Sequence, residues 1–449
     1  MQPNRSRHDS GRAFGPGFSC IIKKPVREGN AMRNKREVKA VGAKTQSRGD
    51  GMARWTTILL GLAGAIGVAG GAWTAFEVHP SANDQRAPDV HGRLIVWQEL
   101  IQGNQGRDWD IWAADVTHPD APQVFVVSNY EATNEQNPSV YDTIVVWQDD
   151  YWSTPEASDW DVYFRDTANP GALEVNLTPM PYDQINPRIY GNRIVWQDNS
   201  FGDWDVCVAD ITDPNHLPIY PLTPYPHDQS RPTIWRNTVA WQDNYVWEDN
   251  PDGAWNVYGA DALRMNKPIE YLFSALPEDQ ENIAMAGSYV VWQQKTAEDW
   301  DVYAADVSDP ANPKILPIAT DTSNAMYPDV DGHLIVWQDD RNGDWDIYGY
   351  NLVTRREFII SDNQPGQKEF TDQLRPRISG TLVVWEDVPL TPDAPADIFA
   401  AILDGPEIAA CPNPPAGDAN GDCVVNLQDF VLLAEGWLTC NLDHPDACP

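Results

Sequence analysis

The residues of this chain best suited to chemistry lie near its C-terminus. From Gly417 to Leu438 the sequence reads GDANGDCVVNLQDFVLLAEGWL, where Asp418, Asn420 and Asp422 alternate and Asn426 and Asp429 follow. Hard cations such as calcium take several oxygen ligands, and alternate residues of a tight loop can aim them at one centre. The competing reading is a solvated Asp/Asn turn that only caps the following helix. Catalytic signatures are missing elsewhere: there is no Gly-x-Ser-x-Gly, no His-Glu-x-x-His and no phosphate-cradling Gly loop. None of the His residues sits at a recurring position, so no catalytic residue is assigned. Acidic pairs abound, and a glycosidase-type pair could hide among them. Asp110, Asp161, Asp205, Asp301 and Asp346, however, recur in register after a Trp. That pattern suits side-chain to backbone bonding that fixes a turn.

The element that must position any site is a repeat. A Trp-Gln pair (Trp-Glu in the last copy) falls at Trp97, Trp147, Trp196, Trp241, Trp292, Trp337 and Trp385. Nine residues earlier stands Pro88, Pro138, Pro187, Pro232, Ile283, Pro328 or Pro376. A second marker, Trp-Asp or Trp-Asn, follows at Trp109, Trp160, Trp204, Trp255, Trp300 and Trp345, and Ala396 takes its place in the seventh copy. Spacings of 45–51 residues between successive Trp-Gln pairs match one four-stranded propeller blade. Runs such as Leu94–Gln98 are apolar on both faces, as strands covered on both sides require. The phase-locked Trp residues are therefore expected in the blade core. Ala75–Val78 precedes the first copy and the last copy lacks a fourth strand, so the N-terminal strand is expected to complete blade seven and close the ring. The sequence thus predicts an all-β, seven-bladed β-propeller over residues 75–404.

The repeat, written Pro-x-h-x-x-Gly … Trp-Gln-Asp-x-x-x-Gly-Asp-Trp-Asp-Ile-Tyr-x-x-Asp with h apolar, resembles the TolB-like (WD40-like PD40) propeller repeat, with Trp-Gln in place of the usual Phe-Ser. Propellers of this kind also cap prolyl oligopeptidases, but no hydrolase domain follows here. The tail resembles one type I dockerin repeat, a calcium loop followed by a helix. On that resemblance Asp418, Asn420, Asp422, Asn426 and Asp429 take loop positions 1, 3, 5, 9 and 12, and Val424 offers its carbonyl at 7. Calcium is the implied cofactor. Cys423 stands where the loop normally has Gly, and no second calcium repeat follows.

The flanks are of other kinds. Residues 1–54 form a basic leader with 13 of the 31 Lys and Arg but 4 of the 66 Asp and Glu. The rest of the chain is strongly acidic, which argues against nucleic acid and anionic membrane surfaces as partners. Residues 55–74 belong to an uncharged run, Trp55–Phe76, that reads as a signal peptide starting at Met52 or as an uncleaved anchor. Either reading exports the body to the periplasm, the cell surface or the medium. A Pro-rich linker, 405–415, leads to the dockerin-like module at 416–449. Cys411, Cys423, Cys440 and Cys448 crowd that module, where two disulfides or a zinc site are the alternatives. Cys207 reads as a buried strand residue. Tyr151, Trp152, Tyr245 and Trp247 sit in long loops that break the repeat, and are the candidates for a ligand-binding rim.

The functional expectation is an exported, non-catalytic binding scaffold. The propeller would be its interaction platform and the tail a calcium-dependent attachment module, with protein partners such as cohesin-like or envelope components. The alternative is a carbohydrate-active enzyme or accessory component acting on polysaccharide.

Overall fold

Seven four-stranded antiparallel sheets follow one another along the chain in the computed structural model. It describes Trp73, residues 75–408 apart from 103–106, 131–132, 155–156, 170, 201, 214, 247–252, 263–267, 362–370, 392–393 and 406, and Phe430. The basic leader, nearly all of the apolar run before Ala75, the calcium-loop residues Asp418, Asn420, Asp422, Val424, Asn426 and Asp429, and the four tail cysteines lie outside the described residues. Among the described residues no helix is long and apolar enough to cross a membrane.

Six blades take their strands in sequence order. The seventh is ordered Ala75–Glu77, Asp397–Ile402, Leu382–Pro389, Thr371–Ser379, so the N-terminal strand completes it as expected. Ala75 pairs with Ala401 and Glu77 with Phe399. The fourth strand of the second blade is short, Val175–Asn176.

The core lies between the blades. All seven Trp-Gln tryptophans are at most 1% exposed. Trp337, for example, packs with Val291 and Val302 of the preceding blade, and Trp241 with Val195 and Val206. Truncating such a side chain to Ala typically costs about 3–5 kcal/mol. Across its own sheet, Trp337 faces Tyr348 of the Asp-Ile-Tyr marker with ring centroids 6.1 Å apart, and Trp147, Trp241 and Trp292 repeat the pairing with Tyr163, Tyr258 and Tyr303. Gly349 is required by this packing, because a Cβ there would overlap the ring of Phe358. Cys207 is buried in its strand, 2% exposed, as its sequence context implied.

Blades are clasped to each other by two polar bonds that the repeat markers supply. The first involves a bulge. Each first strand shifts register against the second at the residue before the marker proline or Ile283. That residue, Ala87, Asn137, Asn186, Arg231, Asn282, Tyr327 or Arg375, has φ between 50° and 52° or, at Asn186, 54°. Its N–H leaves the ladder and donates to the side-chain carbonyl of the preceding blade's Trp-Gln glutamine, at 2.8–3.3 Å in six junctions. At the closing junction Ala87 donates to Glu386 Oε1 at 2.8 Å.

The second clasp belongs to an Asp that stands immediately before a Gln, four residues ahead of the marker proline or Ile283. Asp183, Asp228, Asp279 and Asp372 accept the backbone N–H of the second-marker Trp one blade back, at 3.1–3.3 Å, and Asp84 accepts that of Ala396 at 2.9 Å.

The closing junction is charged where the others are neutral. Glu386, 1% exposed at its side chain, is flanked by Arg86 and Arg375, each 3.3 Å away. Removing one partner of a buried pair is far more damaging than neutralising it within the same shape. Glu386→Ala is expected to lower unfolding free energy by about 3 kcal/mol, and Glu386→Gln, which keeps the acceptor, by about 1 kcal/mol or less. Urea denaturation of the two variants beside the wild type checks this.

Candidate functional site

The seven first strands surround the axis of the ring. Each packs against the first strands on either side, and Gln85–His91 meets Thr371–Ser379 to complete the circle. Side chains alternate along a strand, so the bulge residue and the residues two and four further on face the axis, while the proline and its second neighbour pack between blades. Three rings of side chains result. The first holds the bulge residues. The second is Asp89, Ser139, Arg188, Thr233, Ala284, Asp329 and Arg377. The third is His91, Tyr141, Tyr190, Trp235, Ala286, Asp331 and Ser379.

The channel divides into two chambers that share Arg188, Ile283 and Arg377 as their common wall. One chamber, about 270 Å³, is lined by the prolines, by Asn137, Asn186 and Asn282, by Tyr327 and by four arginines, Arg188, Arg231, Arg375 and Arg377. Carboxylates are absent from its described lining. The other, about 250 Å³, carries Asp89, Asp329, Asp331 and an arc of aromatic rings. In that arc His91 stands 4.2 Å from Tyr141, Tyr141 4.5 Å from Tyr190, and Tyr190 5.7 Å from Trp235. The guanidinium of Arg236 caps Trp235 at 4.5 Å.

Charges at the shared wall perturb one another. Burial, and next the charge of Arg377, lower the Arg188 pKa to about 10. Burial raises Asp329 to about 6, against the opposing pull of Arg377 and of the Ile378 N–H that it accepts at 2.9 Å. Asp89 is tied likewise by the Val140 N–H at 2.9 Å. Both carboxylates are thus engaged by the next blade's backbone, whereas the arginine side chains project into the channel.

Of the rim residues expected from sequence, Tyr151 and Trp152 are exposed and stack edge to face at 4.9 Å, and Tyr245 lies 4.7 Å from His227. Trp247 lies outside the described residues. The hairpins that carry them join second and third strands. The end of each second strand pairs with the start of a first strand, as Glu135 with Asp149 and Gln229 with Asp243. These aromatics therefore sit at the arginine end of the channel. The channel residues themselves escaped the sequence reading. The signal available was variation: inside a strict repeat, the bulge position and the second and fourth residues after it change chemistry from blade to blade. No group of three or more His, Cys, Asp or Glu among the described residues is placed to hold a metal.

The recurring Asp after the second Trp has a different place from the turn-fixing one expected. All five are buried: Asp161, Asp205 and Asp346 open their strands, Asp301 is second in its strand and Asp110 fourth. Turn bonding falls instead to the acid of Trp-Gln-Asp: Asp149, Asp198, Asp243 and Asp339 accept the N–H two residues on, at 2.7–3.0 Å.

Burial, reinforced by neighbouring acids, raises Asp110 and Asp397 to about 7 and Asp301 to about 6. Burial also raises Asp161 to about 7 and, with Asp149 and Asp110 close by, Glu135 to about 10. A carboxyl whose folded pKa exceeds its unfolded one contributes stability that is complete below the unfolded value, about 4, and is lost as pH rises through the folded value. Burial acts on Asp339 in the same sense, but the adjoining Arg341 more than offsets it and holds Asp339 below the usual range. Its contribution disappears only in stronger acid. The thermal midpoint is therefore expected to rise as pH is lowered from about 8 to about 5, and scanning calorimetry across that window checks the sign.

Comparison with known proteins yields fold but no family. No protein-family model and no curated protein matches the chain. Among solved structures, the β-propeller domain of the Trilobed protease from Pyrococcus furiosus aligns at 9% identity over 73% of this chain and 95% of that one, with TM-score 0.53. That domain is described as having an open velcro topology, whereas Ala75–Glu77 closes the present ring. A prolyl endopeptidase structure aligns at 11% identity over 71% of this chain and 47% of that one, also at 0.53. TolB from Acinetobacter baumannii aligns at 14% identity over 54% of this chain and 56% of that one, with TM-score 0.37.

These matches correct the expectation of a non-catalytic scaffold with polysaccharide degradation as its alternative. Two of the rings that share this fold belong to a protease and a prolyl endopeptidase. The physical reason for the error is that the sequence reading treated the ring as an outer surface and left out its axial channel.

Proposed function

We propose that this protein handles peptides as part of a peptide-cleaving system, with the axial channel as the element that takes them in. The observation that carries this reading is the two-chambered channel. Its amide- and arginine-lined half offers hydrogen-bond donors and acceptors to a backbone, and its His91–Tyr141–Tyr190–Trp235 arc offers stacking surface to side chains. The propellers of peptidases that share the fold support the choice of peptide as ligand. Tyr151, Trp152 and Tyr245 form an outer rim at the arginine end. Fluorescence anisotropy with a labelled pool of short peptides is expected to give micromolar binding that Tyr190→Ala weakens about tenfold and Trp152→Ala less. Failure of every peptide to bind would overturn the reading.

The body works outside the cytoplasm, a reading supported by the Trp55–Phe76 run and the positive flank before it. The tail binds one calcium ion through Asp418, Asn420, Asp422, Asn426, Asp429 and the Val424 carbonyl, a reading supported by the oxygen side chains in register. Titration calorimetry of the full chain is expected to show one calcium bound per chain, and Asp418→Ala with Asp422→Ala to abolish it. No heat with the wild type would dismiss the site.

A further inference from the structure

We infer that the arginine chamber is a carboxylate-binding site, so that the peptides admitted are those presenting a free carboxylate to Arg188 and Arg377. The peptide part of this inference rests on the reading above; the carboxylate part stands on the chamber itself.

Outside the leader the chain carries 62 acidic and 18 basic side chains, yet four arginines and no carboxylate line this one cavity in its described part. Their duties differ. Arg375 is engaged by Glu386, and Arg231 donates to Asn282 Oδ1, so both have structural employment at the mouth. Arg188 donates to the Pro187 carbonyl at 2.8 Å and makes no ion pair among the described residues. Arg377 likewise makes none among them.

Arg188 is held in a partly buried wall where burial and the charge of Arg377 depress it and Asp89 and Asp329 only partly oppose them, and a guanidinium so placed is costly without an anion in contact. The nearby carboxylates of Asp89 and Asp329 do not discharge either arginine within ion-pair distance, being turned to the N–H groups of Val140 and Ile378. A guanidinium fork matches a carboxylate in a bidentate manner, and low-dielectric walls focus its field against the acidic exterior. Asn137, Asn186 and Asn282 give the same chamber amide groups to orient the rest of the ligand. The chamber is of a size for a chain end or one acidic side chain.

The test uses the full chain and four labelled versions of one peptide, with the C-terminus free or amidated and an internal residue Asp or Asn. The version lacking both carboxylates is expected to bind at least about tenfold more weakly than the version carrying both, and the arm in which the loss occurs tells chain end from side chain. Citrate, unlike glycerol, is expected to displace the acidic peptide from the wild type, a readout that needs no variant. Arg377→Gln is expected to erase the discrimination, and Arg377→Lys to restore part of it, with thermal midpoints confirming that both variants fold.

Equal binding of all four peptides, unmoved by citrate, would overturn the carboxylate site and leave peptide handling intact. Citrate raising the thermal midpoint of the wild type but not of Arg377→Gln, with no peptide bound, would uphold the site and overturn the peptide reading.

Discussion

The ring depends on what becomes of one backbone N–H per blade. A residue in the left-handed region, just before a proline or Ile283, takes its amide out of the sheet ladder, and a buried donor without an acceptor costs about 1–3 kcal/mol. Here the acceptor is always the side-chain carbonyl of the preceding blade, six times from Gln and once from Glu386. Because each donor and its acceptor sit on different blades, no blade can satisfy its own bulge. The bond is thus a statement about neighbours, and seven such statements in sequence define a circle.

That arrangement separates the part of the repeat that must stay constant from the part that can vary. The Trp, the Gln and the proline are committed to the spaces between blades, where close packing and obligatory hydrogen bonding leave little choice. The bulge side chain and the two that follow it on the same face line the axis, where several also reach a neighbouring blade, as Asp89 and Asp329 reach the Val140 and Ile378 N–H groups. These side chains range from Ala87 to Arg375 and from Asp89 to Trp235 without disturbing the clasps. A strict scaffold thereby carries an unrepeated interior. This is how chemistry of both signs comes to lie within one narrow channel of a highly acidic protein.

Much of the fold was legible for the same reason. Residues with interchangeable duties in seven blades recur at fixed spacing, so the Trp core, the blade count and the donation of Ala75–Glu77 to the last blade could be read from pattern alone. The channel was not legible, because its residues are defined by having no repeat, and looking for departures from the pattern led to the hairpin loops of Tyr151 and Tyr245. The recurring Asp110, Asp161 and Asp346 misled in the opposite direction. Recurrence suggested turn bonding, while all three lie buried within their strands, two of them at the first residue, and the turns go to Asp149 and Asp339. Neither distinction is visible without knowing which way each side chain points.

The joint between the first and last strands has a mechanical meaning. The chain enters the ring at Ala75 and leaves it near Leu403, both in blade seven, with the Trp73 indole donating to the Asp404 carbonyl at 2.8 Å. Tension applied between whatever precedes Trp73 and whatever follows Asp404 is thus borne by a single pair of strands, and the other six blades stay off the load path. Because Ala75 faces Ala401 in an antiparallel pair, such a pull opens the ladder one rung at a time rather than shearing all rungs together. Blade seven is thus the part of the ring that meets such a pull first.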